Sequence, residues 1–350
     1  MLNVDFLKVD HGDCIHISFG EHEDDLKHII IDGGPSSAYS SYSKKERDDN
    51  DGPLKVLVDS LEQVDLLVVT HIDDDHIGGI LKWFSKDKEG SAKVKKVWFN
   101  SPKQIKINSN VETEVQDDIL VESSKGVNTS TGQGKSLEDF LVASDILHNG
   151  YVTNGHKLTI DGLEISVLTP FRETLVDLLR LWVIEQPTLD TANNPDHQLS
   201  VKHLLQQDKF VEDKKVQNLS SISFIIKYKE KQYLFLGDSG PSDVVKALKL
   251  LGHDVDNKIN VEFMKLSHHG SKKSTSKELI NLIDTTKYVV SSNGKYHGLP
   301  DKVCLARIIE ANDSAQIYFN YPERIGNIFS EVDKTDYPTF SAHSAMEIDG

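Results

Sequence analysis

The chain has few cysteines and no long apolar run. Its 350 residues include two cysteines, Cys14 and Cys304, which lie in apolar segments far apart in the sequence. No run reaches the roughly 18 apolar residues that a membrane-spanning helix needs, and residues 1–10 lack the apolar core of a signal peptide. We therefore expect a cytoplasmic protein, with no membrane partner and with two buried free thiols.

Positive charge is also scarce. The chain has 39 Lys and Arg residues against 55 Asp and Glu residues, for a net charge of −16. Proteins that bind long nucleic acids usually carry a basic surface, because much of their affinity comes from contacts with phosphates. The acidic balance therefore disfavours a protein that binds a long duplex along a groove.

Residues 64–80, VDLLVVTHIDDDHIGGI, combine an apolar run with a dense group of metal-type ligands. The apolar residues 66–69 end at Thr70, and a short polar segment follows that contains His71, Asp73, Asp75 and His76. Imidazoles and carboxylates packed together at the end of a strand are costly unless a cation neutralises them. We interpret the segment as a metal site, the alternative being an acidic turn. Gly78 and Gly79 would then let the backbone pass close to the site and enter a helix from about residue 80.

Three later segments repeat this arrangement of an apolar strand followed by a metal-type ligand. Asp238 follows residues 233–236, the pair His268-His269 follows an apolar segment that ends at Leu266, and His297 comes after residues 288–290. Active sites of α/β sheets lie at the carboxyl ends of strands. We therefore expect these side chains to converge on one site.

These motifs resemble the metallo-β-lactamase superfamily, whose signature is HxHxDH followed by distant Asp and His ligands. The chain is most similar to the branch typified by the soluble nuclease-like domain of bacterial DNA-uptake (competence) channel proteins, in which Asp replaces the second His, as Asp73 does here. The Gly12-Asp13 turn, the Asp32-Gly33-Gly34 segment and the SHHG and YHGLP loops match that branch. The resemblance covers most of residues 1–82, 158–170 and 218–312.

The resemblance implies an α/β fold, the αββα four-layer sandwich built from two pseudo-related halves. We expect one domain over residues 1–350, with insertions at about 83–157 and 171–217 that determine substrate choice. Within them, we predict a helix near 81–86, a strand at 96–100, a mobile loop at 122–136 and a helical span at 136–150. We also predict a helix at 171–185 that buries Leu175, Leu178, Leu179 and Trp182, followed by a charged loop at 187–215.

The resemblance further implies a centre of two divalent metal ions. One ion would be held by Asp75, His76, Asp238 and one of the paired histidines. The other would be held by His71, Asp73 and Asp238, with solvent or Asn218 completing it, because the superfamily's usual isolated His has no clear counterpart here. Carboxylate ligands favour Mn or Mg and imidazoles favour Zn, so we expect Mn or Zn, with Mg as an alternative.

Other residues have supporting roles in this interpretation. Asp13 and Asp32 would orient ligand histidines. Asp75 would act in catalysis as well as binding metal. We assign His269 as the ligand and His268 as the group that stabilises charge or protonates the leaving oxygen, although the reverse order is open, and His297 is a second candidate. Lys272 and Lys273 either contact substrate phosphates or belong to a solvated loop.

The function implied is a metal-dependent hydrolase, namely a phosphodiesterase or nuclease in which the ions activate water. The acidic surface favours a small phosphodiester, a single strand or a nucleic-acid end as substrate. The same centre could cleave another ester or an amide, because fold does not dictate substrate. A different alternative is a subunit of a multi-protein system, for example in antiviral defence, that a protein partner activates.

Overall fold

Two mixed sheets, of five and eight strands, organise the chain in the computed structural model. The residues that it describes are 1–43, 48–109, 130–148, 150–183, 196–295 and 297–347. The chain divides into two units, each with one of these sheets. Whether residues 1–350 act as the single domain with insertions that the sequence predicts stays a prediction.

The first unit, residues 1–153 and 170–190, contains the five-stranded sheet in the order β1-β2-β3-β6-β7. Its strands are β1 (Leu2–Phe6), β2 (Ile15–Phe19), β3 (Lys27–Ile31), β6 (Leu66–Val68) and β7 (Val97–Trp98), and a separate hairpin pairs β4 (Ser40–Ser43) with β5 (Asp48–Asp51). The first three sheet strands are antiparallel, and β3, β6 and β7 are parallel. The inner strands read as apolar runs because both of their faces are buried.

The helices of this unit that the structure describes lie partly within the predicted insertions. They are α1 (Pro53–Ser60), α2 (Asp74–Lys86), α3 (Lys88–Ser91), α4 (Pro102–Ser109), α5 (Ser130–Ser144) and α6 (Arg172–Val183). The predicted face of α6 is confirmed: Leu175, Leu178, Leu179 and Trp182 are all buried. Burying each of these side chains contributes about 1.5–3 kcal/mol, which explains why this insertion folds as a helix.

The second unit, residues 154–169 and 191–350, contains the eight-stranded sheet in the order β17-β16-β15-β13-β11-β10-β9-β8. Its strands are β8 (Lys157–Ile160), β9 (Leu163–Thr169), β10 (Ser223–Tyr228), β11 (Lys231–Phe235), β13 (Phe263–Lys265), β15 (Lys287–Val290), β16 (Gln316–Phe319) and β17 (Ser341–Ser344). Its helices are α7 (Val201–Gln207), α8 (Val216–Leu219), α9 (Pro241–Leu250), α10 (Lys277–Asn281), α11 (Lys302–Ala311), α12 (Ile325–Ile328) and α13 (Glu331–Asp336). A short parallel pair joins β12 (Ile259–Asn260) to β14 (Ile283–Asp284).

The two sheets share one pairing pattern. Strands β1-β2-β3-β6-β7 run antiparallel, antiparallel, parallel, parallel, and β9-β10-β11-β13-β15 repeat that order. An aspartate, Asp32 or Asp238, follows the third strand of each pattern, and a histidine, His71 or His268, follows the fourth. This correspondence agrees with the two pseudo-related halves that the resemblance implies.

Helix α2 begins earlier than the sequence predicted. It starts at Asp74 with Asp73 as its N-cap residue, so Asp75 and His76 lie in its first turn and both glycines lie inside it. Acidic residues are favourable in a first turn because of the helix dipole. The glycines cost helix stability, but a Cβ on Gly79 would meet the carbonyl oxygen of Gly33. As predicted, the glycine here permits a close backbone approach.

The prediction of a mobile loop at 122–136 is wrong for residues 130–136, which belong to helix α5. Residues 122–129 lie outside the described part of the chain. Although the segment is rich in Ser, Thr and Gly, tertiary contacts override that weak propensity. The Trp182 indole nitrogen donates to the Thr131 carbonyl at 3.0 Å, and a Cβ on Gly134 would lie 3.0 Å from the Trp182 ring.

The loop predicted at 187–215 is also partly wrong, because it contains helix α7. The Ser200 hydroxyl caps this helix by accepting from the His203 backbone at 3.2 Å, and Val201 and Leu204 are buried. Residues 184–195, which include the start of the predicted loop and the end of the predicted helix at 171–185, lie outside the described residues.

The structure bears on the predictions about membrane-spanning helices and about the two cysteines. Among the described residues, no helix is both long enough and apolar enough to cross a bilayer. Cys14 and Cys304 are free and buried, as predicted. Burial raises the pKa of the Cys304 thiol to about 12 and also raises the pKa of Cys14, so both thiols are held in the neutral form.

Candidate metal centre

In the first unit, a buried carboxylate lies at the centre of the signature segment. Asp32 follows β3 in a left-handed conformation (φ 57°), and its backbone N–H donates to the Val68 carbonyl at 2.8 Å. One carboxylate oxygen accepts from the Thr70 backbone N–H at 2.7 Å. The other accepts from the Thr70 hydroxyl at 2.7 Å and lies 2.8 Å from Nδ1 of His76. Asp32 thereby joins the ends of β3 and β6 to the first turn of α2.

These contacts fix which nitrogen carries the proton in two histidines. A carboxylate only accepts, so Nδ1 of His76 is the donor to Asp32. The Thr70 hydroxyl gives its hydrogen to Asp32, so its oxygen, 3.1 Å from Nδ1 of His71, accepts from that ring. In the neutral form, each histidine then has its lone pair on Nε2. Carboxylate-oriented histidines of this kind are typical metal ligands.

Two further carboxylates surround His76 within the same unit. A carboxylate oxygen of Asp13 lies within 4.8 Å of a His76 ring nitrogen, and Asp75 Oδ2 lies 3.8 Å from His76 Nε2. The Asp13 backbone is fixed because its N–H donates to the Asp75 carbonyl at 3.2 Å and its carbonyl accepts from Gly34 at 2.7 Å. Asp13 is therefore close enough to be a ligand itself, in addition to the orienting role that the sequence suggested.

Asp73 is contacted by an insertion helix. Its carboxylate makes no capping bond to α2, and it accepts from the Ser130 hydroxyl at 3.0 Å, at the start of α5. The neighbouring Asp74 accepts from the Gln133 side chain at 2.6 Å. The insertion at 83–157 therefore contributes side chains that hold the acidic segment in place.

In the second unit, three parallel strands bring candidate residues to one edge of the sheet. Asp238, the His268-His269 pair and Ser291 follow β11, β13 and β15, which are neighbours. The Asp238 backbone N–H donates to the Ser221 hydroxyl at 3.1 Å. Ring and carboxylate atoms of His269 and Asp238 lie within 4.8 Å of each other. Within this unit, Asp238 and His269 therefore lie together at the carboxyl ends of neighbouring strands.

The paired histidines have different surroundings. His269 is buried, and its Nδ1 lies 2.7 Å from the Ser291 carbonyl oxygen. His268 is partly exposed, and its Nδ1 lies 3.2 Å from Asn218 Nδ2 and 3.6 Å from Asp213 Oδ2. Both histidines have left-handed backbone conformations (φ 49° and 53°), which are uncommon for residues with a Cβ and tend to cluster at functional sites.

Burial and the neighbouring carboxylates have opposite effects on the pKa of His268. Burial lowers its pKa, but the Asp238 and Asp213 carboxylates outweigh burial and leave the pKa above its usual value. Burial conversely raises the pKa of Asp213, but hydrogen bonds from His268 and Asn218 bring it well below its usual value. At neutral pH, Asp213 is therefore a fixed negative charge beside this histidine.

The remaining predicted residues lie in loops of the second unit. Lys272 Nζ lies 3.5 Å from the buried carboxylate of Asp301, whereas Lys273 is exposed. His297 is exposed and has a left-handed conformation (φ 53°). Asn218 is buried, and its amide is directed at Asp213 and His268.

Sequence reasoning missed three residues at these sites. Asp213 and Ser130 lie in the insertions, where no motif marks them, and Ser291 contributes a backbone carbonyl that any residue type could supply. The signal that could have identified Asp213 is its position five residues before Asn218, in a segment judged to be a loop only because it is charged.

A metal ion suits the donor set in each unit. His71, His76 and His269 each direct Nδ1–H at an oxygen, so that in the neutral ring the lone pair is on Nε2, while Asp13, Asp75 and Asp238 offer carboxylate oxygens nearby. Mixed imidazole and carboxylate donors suit Zn and Mn. None of the candidate ligands is a cysteine thiolate. The two cysteines, Cys14 and Cys304, are free and buried.

Comparison with known proteins identifies the family. The model of the metallo-beta-lactamase superfamily matches residues 22–292, which is most of the chain. The protein belongs to this superfamily, and both the resemblance and the fold class that the sequence predicted are confirmed.

The individual relatives have low sequence identity to this chain. The chain is 23% identical over 353 residues to ComE operon protein 3 of Bacillus subtilis (strain 168), covering 95% of this chain and 35% of that protein. It thus spans about a third of that relative's length. Among solved structures, YhfI of Bacillus subtilis, a metallo-beta-lactamase fold protein, is 9% identical with a TM-score of 0.40, covering 98% of this chain and 97% of that one. CmlA of Streptomyces venezuelae, a diiron β-hydroxylase, is 14% identical with a TM-score of 0.43, covering 98% of this chain and 52% of that one.

Proposed function

We propose that the protein is a metal-dependent phosphodiesterase with a dinuclear centre. The observation that carries the proposal is the orientation of His71, His76 and His269, whose Nδ1 atoms donate to oxygens and whose Nε2 atoms therefore have a lone pair in the neutral ring. Superfamily membership supports two ions. The proposed ligands are His71, Asp73, Asp75, His76, Asp238 and His269, with Asp13 as a further carboxylate.

The ligand chemistry favours phosphoester substrates. Two divalent ions would lower the pKa of a water and neutralise charge on phosphoryl oxygens. The chain's own residues supply the remaining functions: Asp32 and the Ser291 carbonyl keep the histidine ligands oriented, and His268 or His297 faces the substrate. Asp73, where the superfamily signature has a histidine, makes the donor set oxygen-rich, which favours Mn over Zn.

The charge distribution narrows the substrate class. With a net charge of −16, the surface repels a long duplex, and Lys272 is already within 3.5 Å of Asp301. We propose a small phosphodiester, or the end of a single-stranded nucleic acid, as the substrate. Lys273 would contact its phosphate.

Metal-stripped protein supplied with Mn, Zn or Mg tests this function. Hydrolysis of bis-p-nitrophenyl phosphate and of single-stranded DNA would be compared between the wild type and Asp75→Ala, with the exposed Asp24→Ala as the matched control. We expect Mn-dependent turnover that Asp75→Ala abolishes and Asp24→Ala retains. Cleavage of both substrates would support a nuclease, and cleavage of the small ester alone would support small phosphodiesters. Absence of turnover with two ions bound would overturn the proposal.

A further inference from the structure

The two adjacent histidines of the second unit carry their protons on opposite nitrogens. His269 Nδ1 lies 2.7 Å from the Ser291 carbonyl oxygen. A carbonyl oxygen only accepts, so this nitrogen carries a hydrogen. In the neutral ring, Nε2 of His269 then has the lone pair that a metal requires.

The hydrogen bonds of His268 place its proton on the other ring nitrogen, Nε2. Asn218 Nδ2 lies 2.6 Å from Asp213 Oδ2. Because a carboxylate only accepts, the amide group beside it must be the NH₂ end, which fixes the orientation of the Asn218 side chain. The same nitrogen lies 3.2 Å from His268 Nδ1. In the neutral ring, Nδ1 therefore accepts from Asn218, and the proton lies on Nε2.

Protonation of His268 does not change the state of Nε2. In the charged ring, both nitrogens carry hydrogens, and the Asp213 carboxylate, with Oδ2 3.6 Å from Nδ1, is a nearby negative charge. Nε2 thus carries a proton in both charge states. A nitrogen with a proton has no lone pair to offer a metal, and it can donate to an oxygen. Nε2 lies 3.7 Å from Asp238 Oδ2, beyond hydrogen-bond distance, so it is beside the proposed ligands.

Asp213 is itself held firmly in this position. Its backbone N–H donates to the Lys273 carbonyl at 3.1 Å, and its second carboxylate oxygen accepts from the Lys215 backbone at 3.1 Å. Its segment is anchored by Asp208, whose carboxylate binds the buried Arg307 guanidinium at 2.6 and 2.7 Å. On the other side, the His268 backbone N–H donates to the Gly237 carbonyl at 2.9 Å.

We propose that Asp213 and Asn218 are positioning residues that hold His268 as a hydrogen-bond donor, through Nε2–H, to an oxygen of the phosphodiester substrate. The inference rests on the proposed phosphodiesterase function and assigns the residues of the pair: His269 binds metal and His268 faces the substrate. It also gives the insertion at 171–217 a direct part in the site, through Asp213.

Nitrogen NMR of histidine-labelled, metal-free protein tests the proton positions without any activity. The ring signals would be assigned with His268→Gln and His269→Gln. We expect the neutral His268 ring to carry its proton on Nε2 and the neutral His269 ring on Nδ1. A His268 ring with an unprotonated Nε2 would overturn the inference.

Metal content and kinetics separate a ligand from a donor. His268→Gln is expected to keep two ions per chain, as the exposed control His203→Gln does, and to lose kcat by about 10²-fold, as expected for a group that acts on the substrate in the transition state. His269→Gln is expected to lose metal affinity. Loss of an ion from His268→Gln would contradict the proposal.

A double-mutant cycle separates positioning from a general structural effect. Asp213→Ala is expected to lower kcat by about tenfold with His268 present, and to have less than about a twofold effect in the His268→Gln background, because Asp213 acts through that ring. An equal loss in both backgrounds would overturn the positioning role. If the wild type cleaves no phosphodiester although two ions bind, the proposed function fails and the phosphodiester is ruled out as the acceptor. The proton positions and the metal content then still show whether Asp213 and Asn218 hold His268 with a protonated Nε2 and whether His269 binds metal.

Discussion

The buried carboxylate of Asp32 lies 2.8 Å from Nδ1 of His76. The same carboxylate accepts from the Thr70 hydroxyl, whose oxygen in turn accepts from His71. Asp32, which is fully buried, thus orients two histidines that lie five residues apart in sequence.

Asp32→Asn should weaken metal binding. The amide NH₂ that replaces a carboxylate oxygen cannot accept, so it would reverse the proton position on His76 or lose its bonds to Thr70. We expect a 10–100-fold lower metal affinity, the usual effect of removing a partner that orients a ligand, and a loss of about 1–3 kcal/mol in the free energy of unfolding. Calorimetric titration with Mn and thermal unfolding measure the two effects. Asp24→Asn, an exposed carboxylate, should change neither, and an unaltered affinity in Asp32→Asn would refute the orienting role.

Ser130→Ala should loosen Asp73. Its hydroxyl donates to the Asp73 carboxylate at 3.0 Å, and one hydrogen bond to a charged group contributes about 1.5–3 kcal/mol. Because Asp73 is partly exposed, water can replace part of the stabilisation that this hydrogen bond provides. We therefore expect a two- to tenfold lower affinity for one of the two ions. Ser136→Ala, on the same helix, removes only a hydroxyl bond to the Gly132 carbonyl and serves as the control. Identical titration curves for both variants would show that the insertion does not support the site.

Arg307→Ala should strongly destabilise the second unit. The buried guanidinium binds Asp208 through two nitrogens and also donates to the carbonyls of Lys272 and Thr275. Removing one partner of a buried pair leaves an uncompensated charge and costs about 3–5 kcal/mol. Urea unfolding measures this loss. The exposed Arg180→Ala, which breaks a pair with Asp177, should cost less than about 1 kcal/mol, and similar values for the two variants would contradict the account.

The same ion pair predicts a pH dependence. The hydrogen bond from Arg307 lowers the pKa of Asp208 below its usual value. The stabilisation is therefore fully present above the unfolded-state pKa of about 3.9 and is lost as the pH falls through the lower folded-state pKa. The difference in unfolding free energy between wild type and Arg307→Ala should be constant from pH 7 to 5 and should narrow below about pH 4. A difference that widens with acidification would show that the pair does not behave in this way.

The two thiols should be unreactive in the folded protein. Cys14 and Cys304 are buried and their pKa values are raised, so little thiolate forms at neutral pH. With a thiol-specific disulfide reagent, we expect no rapid reaction in buffer and two equivalents in denaturant. Rapid labelling of either cysteine in buffer would contradict the burial described here.

The sequence predicted the elements that local patterns determine. Apolar runs located β6, β11 and β13, and the residues after them located His71, Asp238 and the paired histidines, because parallel strands end at a common edge. The helix at 171–185 was recognisable from the spacing of Leu175, Leu178 and Trp182. The family signature supplied the candidate ligands.

The remaining features depend on contacts between residues distant in sequence. Residues 130–136 are helical and contact Trp182 through Thr131 and Gly134, and no local pattern reveals that contact. Asp213 binds Asn218, which in turn reaches His268, fifty residues further along the chain. The proton positions of the paired histidines follow from these hydrogen bonds and could not be read from the SHHG motif, whose two histidines look equivalent.

The number of metal ions bound per chain is the most direct test of a dinuclear centre. Metal-stripped wild type, Asp238→Asn and the exposed control His203→Gln would be dialysed against Mn or Zn and analysed by elemental mass spectrometry. We expect two ions per chain for the wild type and for His203→Gln, and fewer for Asp238→Asn. No bound ion in the wild type, or full occupancy in Asp238→Asn, would contradict the assignment of these residues as a dinuclear centre.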